Sequence, residues 1–242
     1  MMAMSTRQLL ITFIPSISVF LAAVVVSKVY EINIRYMVNE GGIISDLGII
    51  LWCASASVCF FAAITLHNSR PGEKTRFLFY SAFLTAYLLF DDFFQLHEVF
   101  FPRYLGLDEK VIIAILGVTV ISYLIAFKHV IFQTNYIFLL LALGFLGTAA
   151  AADGVFAPME IIYTILGIVI VVSVCLVTFN RAMFRAYASV VLLIAGLCVI
   201  FVAIDSIVDH SEYVLEDGAK WLGIACWCSY YVHTAHKFIT VG

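Results

Sequence analysis

Residues 9–26 read LLITFIPSISVFLAAVVV, a run without a single charged side chain. A helix needs about 20 mostly apolar residues to cross the hydrocarbon core of a bilayer. Comparable runs follow almost without pause, and the chain of 242 residues is 64% hydrophobic and only 12% charged. A soluble domain needs a charged surface that this composition does not supply. The alternating polarity of membrane β-strands is absent as well, so the sequence predicts an all-α integral membrane protein.

The apolar segments predict about eight transmembrane helices in a single polytopic domain that covers residues 1–242. Their breaks contain turn-forming residues such as Gly, Pro and Asn. The first run also fits a cleaved signal segment, but it is longer than a typical apolar signal core, so we interpret it as the first span. The approximate bounds of the eight segments are 8–30, 43–66, 76–98, 110–128, 135–152, 159–179, 187–210 and 215–236.

The distribution of charge orients these spans. If the N-terminus is inside, the cytoplasmic segments carry most of the basic residues and only one acid, Glu73. Cytoplasmic loops of membrane proteins are enriched in Lys and Arg, so both termini are predicted to be cytoplasmic and the outer face acidic. The basic residues on the cytoplasmic side are Arg7, Arg70, Lys74, Arg76, Lys128, Arg181, Arg185 and Lys237.

An internal repeat accompanies this topology. Each even-numbered span begins near an acid, and the glycine of a Leu-Gly pair follows seven or eight residues later. The pattern predicts four helical hairpins with tips on the extracytoplasmic side, whose glycines allow close helix packing. Chance is the alternative, because Leu and Gly are common in membrane helices. The four matches are Glu40 with Gly48, Glu109 with Gly117, Glu160 with Gly167, and Glu216 with Gly223.

The segment FDDFFQLHE at residues 90–98 ends the third span. Ionisable groups inside a membrane span are costly and are functional candidates. In a regular helix, Asp91, Gln95 and Glu98 share one stripe, Asp92 points elsewhere, and His97 lies about 100° from Glu98. The segment therefore predicts carboxylates at two depths and one imidazole near the outer surface.

The seventh span ends in a counterpart, DSIVDH at residues 205–210, in which Asp205 and Asp209 share a face and His210 lies at the mouth. Carboxylate and imidazole ligands suit Zn, Mn or Fe, and helical bundles build metal sites from such residues. The sequence names no cofactor, and one of these divalent metals is the candidate. The predicted site has Asp91, Asp92, Asp205 and Asp209 as catalytic carboxylates and His97, Glu98 and His210 as metal ligands.

Other polar residues are expected to be structural. Acids at the outer helix ends, such as Asp108 and Asp217, fit solvated loop residues, and Trp221 fits an interfacial aromatic belt. The six cysteines lie in apolar runs without a CxxC pair and fit small buried side chains. Four further histidines fall at the cytoplasmic ends of their spans and fit interfacial residues: His67, His129, His233 and His236.

Three classes of function stay open. The first is a membrane-embedded enzyme whose metal-dependent or acid/base site acts on a lipid or amphiphile. The second is a proton or divalent-cation transporter or channel, and the third is a non-catalytic subunit of a membrane complex. The first is preferred because spans three and seven read as apolar below Asp91 and Asp205, which leaves no visible conduction path. Membrane lipids are the expected partners, a homo-oligomer or complex partner stays open, and no basic stripe indicates nucleic-acid binding.

Overall fold

The computed structural model describes residues 6–30, 42–69, 71–152 and 211–241, and within these ranges the chain is helical without strands. A π-helical turn, Leu96–Phe100, and two short helices, α4 (Phe101–Leu105) and α6 (Lys128–Ile131), connect longer helices. The predicted spans 159–179 and 187–210 lie outside the described residues. The longer helices are α1 (Thr6–Val29), α2 (Ile43–Ser69), α3 (Glu73–Phe94), α5 (Glu109–Ala126), α7 (Ile137–Ala152) and α8 (Ser211–Val241).

Four of the described helices, α1, α2, α3 and α5, are long and apolar enough to cross a membrane. Helix α7 is apolar but shorter, with its apolar part at Ile137–Ala150. Helix α8 is the longest described element at 31 residues, yet its many polar side chains keep it out of this group. The chain is therefore an all-helical protein with the helices of a membrane protein.

The chain divides into two compact units, residues 1–46 with 143–223 and residues 47–142 with 224–242. In the second unit, Trp227, Tyr230 and Tyr231 of α8 are fully buried together with Phe77 of α3. The Phe77 ring stacks on Tyr123 with centroids 5.8 Å apart. This aromatic packing surrounds the part of α8 that belongs to the second unit with protein. Because these side chains do not face lipid, this part of α8 can be less apolar than a lipid-facing helix.

In the first unit, Trp221 is buried and its indole N–H donates to the carbonyl oxygen of Ser16 at 2.9 Å. The assignment of Trp221 to an interfacial belt is therefore wrong, because protein rather than lipid headgroups surrounds its ring. Asp217, one helical turn earlier, is likewise buried at 9% exposure. The expectation that this acid is a solvated loop residue is wrong for the same reason.

The glycines of the proposed repeat differ in their surroundings. A Cβ added at Gly223 would lie 2.8 Å from Leu146 Cγ and 3.1 Å from the Leu146 backbone nitrogen, so α7 and α8 approach closely there. A Cβ at Gly48 would lie 3.1 Å from Ile224 Cδ1, whereas one at Gly117 would meet nothing within 4 Å. Gly167 lies outside the described residues. Close packing at glycine therefore holds at Gly223 and Gly48 but not at Gly117.

Candidate acid/base site

Helix α3 ends at Phe94 because Gln95 adopts a left-handed conformation, with φ 50° and ψ 49°. Gln95 is the one residue other than glycine with a positive φ in the part of the chain that the structure describes. Its N–H donates to the carbonyl oxygen of Asp91, and the chain continues as the π-helical turn. A non-glycine residue in this conformation costs about 1–3 kcal/mol, so its surroundings must compensate for it.

The break at Gln95 brings His97 back over Asp91. The imidazole Nδ1 of His97 lies 2.8 Å from Asp91 Oδ2, and the backbone N–H of His97 donates to Asp91 Oδ1 at 3.2 Å. In an unbroken helix these two residues would point about 120° apart. The expected stripe of Asp91, Gln95 and Glu98 is therefore wrong, because the helix does not continue through Gln95.

Glu98 completes the arrangement on the other side of the imidazole ring. Its Oε1 lies 3.3 Å from His97 Nε2, so both ring nitrogens of His97 face carboxylates. The side chains become steadily more accessible, from 8% for Asp91 through 20% for His97 to 33% for Glu98. The three residues thus form a graded site, from a buried carboxylate to one that faces the surroundings.

The protonation of His97 follows from these neighbours. Partial burial lowers the pKa of His97, but the hydrogen bonds and negative charges of Asp91 and Glu98 outweigh it and raise the pKa to about 10. At neutral pH the ring therefore carries a proton on each nitrogen. A buried carboxylate needs a compensating cation, proton or hydrogen bonds, and His97 supplies these for Asp91.

This geometry bears on the metal ligands predicted from the sequence. In the described geometry both ring nitrogens of His97 face carboxylates, and an imidazolium has no free lone pair for a metal. Among the described residues, no group of three or more His, Cys, Asp or Glu side chains could hold a metal ion. The assignment of His97, Glu98 and His210 as metal ligands stays a prediction. His210, Asp205 and Asp209 lie outside the described residues.

Asp92 makes a different contact from its neighbour Asp91. The indole N–H of Trp52, on α2, donates to Asp92 Oδ2 at 3.2 Å. The Trp52 ring packs edge-on against Trp227, with centroids 5.7 Å apart, and the Trp227 N–H donates to Thr85 Oγ1 at 3.0 Å. Asp92 is thus tied to the aromatic core of its unit, as its different helical direction from Asp91 predicts.

A chain of hydroxyl groups lies deeper along α3. Ser81 donates to the Phe77 carbonyl oxygen at 2.7 Å, which uses its single proton. Tyr123, 2.7 Å from Ser81 Oγ, must therefore donate to Ser81, and Tyr231, 2.9 Å from the Tyr123 oxygen, must donate to Tyr123. The direction of the chain runs from Tyr231 through Tyr123 and Ser81 to a backbone carbonyl.

The expectation that the third span is apolar below Asp91 is wrong, because the buried hydroxyls of Thr85 and Ser81 face the protein interior. The hydroxyl chain ends on a carbonyl, and the indole N–H groups of Trp52 and Trp227 can donate but cannot accept. These groups therefore act as structural links between helices.

The surface beside the site is aromatic. Phe90, Phe93 and Phe94, on the last turns of α3, are each more than half exposed. The rings of Phe93 and Phe94 lie 4.8 Å apart, and those of Phe90 and Phe94 lie 5.9 Å apart. Exposed apolar side chains are expected on a helix of membrane length, where they contact lipid. The ionisable residues therefore lie next to exposed aromatic side chains.

Comparison with known proteins gives a family but no function. No curated protein and no solved structure matches the chain. The model of the family described as "Domain of unknown function (DUF8692)" matches residues 10–165 and 157–234, which together cover most of the sequence. The chain therefore belongs to the DUF8692 family.

Proposed function

We propose that this chain is a multi-pass membrane enzyme that performs acid/base chemistry on a lipid or other amphiphile. The observation that carries the proposal is the position of His97, held between Asp91 and Glu98 at the end of α3. In the proposed topology the chain crosses the membrane eight times as four hairpins, with both termini in the cytoplasm. The end of α3 then lies at the extracytoplasmic boundary, which the concentration of Lys and Arg in the loops of the opposite side supports.

Each of the three residues has a role that its environment supports. Asp91 is the positioning carboxylate, since it holds the imidazole by Nδ1 and keeps the ring charged. His97 is the general acid, because a ring that is protonated at neutral pH can donate from Nε2. Glu98, more exposed and 3.3 Å from that nitrogen, accepts a hydrogen bond from the Nε2–H when no substrate is bound. Asp92, Asp205, Asp209 and His210 are proposed to line the same site.

The amphiphilic substrate follows from the setting of the site. The polar residues lie at the end of a membrane-length helix, next to the exposed rings of Phe90, Phe93 and Phe94. A substrate with a polar headgroup and an apolar chain can contact both surfaces at once. A small water-soluble substrate would gain nothing from the aromatic surface.

Proton conduction, the alternative function, is less well supported. A relay needs groups that both accept and donate along its whole length. The described hydroxyl chain instead terminates at the Phe77 carbonyl oxygen. A proton that enters at Asp91 or Asp92 would therefore find no continuous route through these groups.

The experiment compares lipid extracts, by mass spectrometry, from cells that carry an empty vector or express the wild-type protein, His97→Gln or Asp108→Asn. Asp108→Asn is the matched control, because Asp108 caps α5 through the Lys110 N–H and Asn preserves that role. We expect the wild type and Asp108→Asn to change the level of the same amphiphile, and His97→Gln to lose that change. Identical extracts from all four would favour the non-catalytic subunit. Proton flux into proteoliposomes above that of empty vesicles would favour the transporter.

A further inference from the structure

The backbone at Gln95 has a consequence for the proposed site. In a continuous helix, Asp91 and His97 would be separated by about 9 Å along the axis and would face different directions. The left-handed conformation of Gln95 turns the chain back, so that His97 is neither a helical turn and a half away nor on another face. The two side chains meet at 2.8 Å. The contact between Asp91 and His97 therefore depends on one backbone conformation four residues after Asp91.

Asp91 stabilises the break through its carboxylate. One carboxylate oxygen accepts the His97 backbone N–H, and the other faces the His97 ring nitrogen. The left-handed conformation costs about 1–3 kcal/mol for a residue with a side chain. Since the bonds that offset this cost are also those that form the site, the break and the site should form together or not at all.

The length of the helix gives an independent reason for the break. A single helix from Glu73 to Leu105 would be about 50 Å long, well beyond the roughly 30 Å hydrocarbon core. The break at Gln95 and the left-handed Gly106, with φ 64°, allow the chain to turn and enter α5. The left-handed residue therefore lies where a membrane hairpin has to turn.

We infer that Gln95 is a positioning residue of the acid/base site, because its left-handed conformation places the His97 imidazole against Asp91. The role in chemistry rests on the proposed function, whereas the geometric role does not. When Gln95 takes the right-handed helical conformation, α3 continues and His97 moves away from Asp91. A residue that favours or disfavours the left-handed conformation should therefore strengthen or dissolve the site without touching either ionisable group.

Hydrogen exchange at the His97 ring Nδ1–H, followed by NMR, tests this role, because that N–H is protected only while it donates to Asp91. The His97 backbone N–H does not test it, since it would also be bonded in a continuous helix. Gln95→Gly and Gln95→Asn tolerate a positive φ and should preserve the protection. Gln95→Ile is β-branched and should raise the exchange rate about tenfold or more. Gly106→Ala is the matched control, since it strains the other left-handed position in open space and should leave His97 protected.

Two results would overturn the inference: protection that survives Gln95→Ile, or protection that is lost in Gln95→Gly and Gln95→Asn. If Gln95→Ile does not fold, the Gln95→Gly and Gln95→Asn variants still test the inference. Loss of protection in both variants contradicts the proposed geometry, and retained protection supports it. The outcome is separate from that of the lipid comparison. Exchange that follows the expected pattern, with lipid extracts that do not depend on His97, would retain the positioning role and reject the enzyme.

Discussion

His97 and Asp91 are joined twice, through the ring nitrogen Nδ1 at 2.8 Å and through the backbone N–H at 3.2 Å. The second bond fixes the backbone and the first fixes the ring, so the imidazole has little freedom to rotate. Glu98 then faces the remaining nitrogen at 3.3 Å. The positive charge of the protonated His97 ring therefore lies between a buried carboxylate and a more accessible one. The stability of the folded chain should depend on whether His97 is protonated.

The first prediction concerns pH. The pKa of His97 is about 10 in the folded protein and 6.5 for a free side chain, so the folded state binds the proton more tightly. Its contribution to stability is full below about pH 6.5 and is lost as the pH rises through about 10. We expect the unfolding temperature of the detergent-solubilised protein to fall across this range, and the fall to be smaller in His97→Gln.

His129→Gln is the control for this measurement, because His129 lies in α6, outside the candidate site. The difference between wild type and variant is the relevant quantity, since Lys and Tyr residues also titrate near pH 10. Parallel curves for the wild type and His97→Gln would show that the ion pair does not stabilise the protein.

Apolar run length was enough to predict the four membrane-length helices α1, α2, α3 and α5, because membrane thickness leaves few alternatives. The different directions of Asp91 and Asp92 also followed from helical periodicity. The end of α3 did not, since the sequence predicted helix to residue 98. Gln is an ordinary helix former, so nothing local distinguishes Gln95 as the break. The contact between His97 and Asp91 required that break and was therefore not predicted.

The polar core was missed for a different reason. Ser, Thr and Tyr occur throughout membrane helices, and the sequence alone does not show which of them face another helix. Thr85 and Ser81 became meaningful only once their partners, Trp227 and Tyr123, were placed opposite them. Long-range pairing of this kind depends on the arrangement of helices, which periodicity does not provide.

The second prediction uses the direction of the hydroxyl chain. Tyr123→Phe leaves the buried Tyr231 hydroxyl without its acceptor and should cost about 1–3 kcal/mol of unfolding free energy. Tyr231→Phe leaves Tyr123 still donating to Ser81 and should cost only about 0.5–1.5 kcal/mol. The double variant should cost less than the sum of the two single changes. Unfolding in mixed micelles measures all three, and equal costs for the single variants would contradict the assigned direction.

The third prediction compares two glycines from the repeat. Gly223→Ala should destabilise the protein by about 1–3 kcal/mol, because the new Cβ would lie 2.8 Å from Leu146 Cγ and 3.1 Å from its backbone nitrogen. Gly117→Ala should be neutral or slightly stabilising, since nothing lies within 4 Å of the new methyl group and Ala favours helix. Thermal unfolding of the two variants side by side is the measurement. A neutral Gly223→Ala would show that α7 and α8 do not approach as closely as described.

The fourth prediction tests the orientation. Single cysteines placed in the loop 99–109 should react with a membrane-impermeant thiol reagent added outside the cell, in a background without native cysteines. Cysteines at Arg70, Arg76 and both termini should react only after the membrane is opened. This follows because Lys and Arg residues concentrate in cytoplasmic loops. Labelling of position 70 or 76 from outside would reverse the orientation and place the acid/base site on the cytoplasmic side.

The last prediction joins the described part of the site to the end of the seventh span. In the proposed hairpin arrangement, Asp91 or Asp92 lies within about 8 Å of Asp205 or Asp209, close enough to share a proton, a water or an ion. A short bifunctional thiol reagent should therefore cross-link Asp92→Cys to Asp209→Cys. It should not link Asp92→Cys to Lys237→Cys, because Lys237 lies near the other end of α8. Failure of the cross-link in all four pairings of Asp91→Cys or Asp92→Cys with Asp205→Cys or Asp209→Cys would reject a single shared site.

Variants of the same carboxylates test whether a proton or a metal ion compensates their charge. Close carboxylates in a region of low polarity need a compensating charge. Since His97 already faces two of them, we expect no metal to co-purify and Asp205→Asn to remain folded, because an amide resembles the neutral acid. If Zn, Mn or Fe does co-purify, Asp205→Asn and His97→Ala should each abolish its binding, whereas His233→Ala and His236→Ala should not. Metal that is lost on changing His233 or His236, but kept in His97→Ala, would move the functional site to the opposite end of the helices.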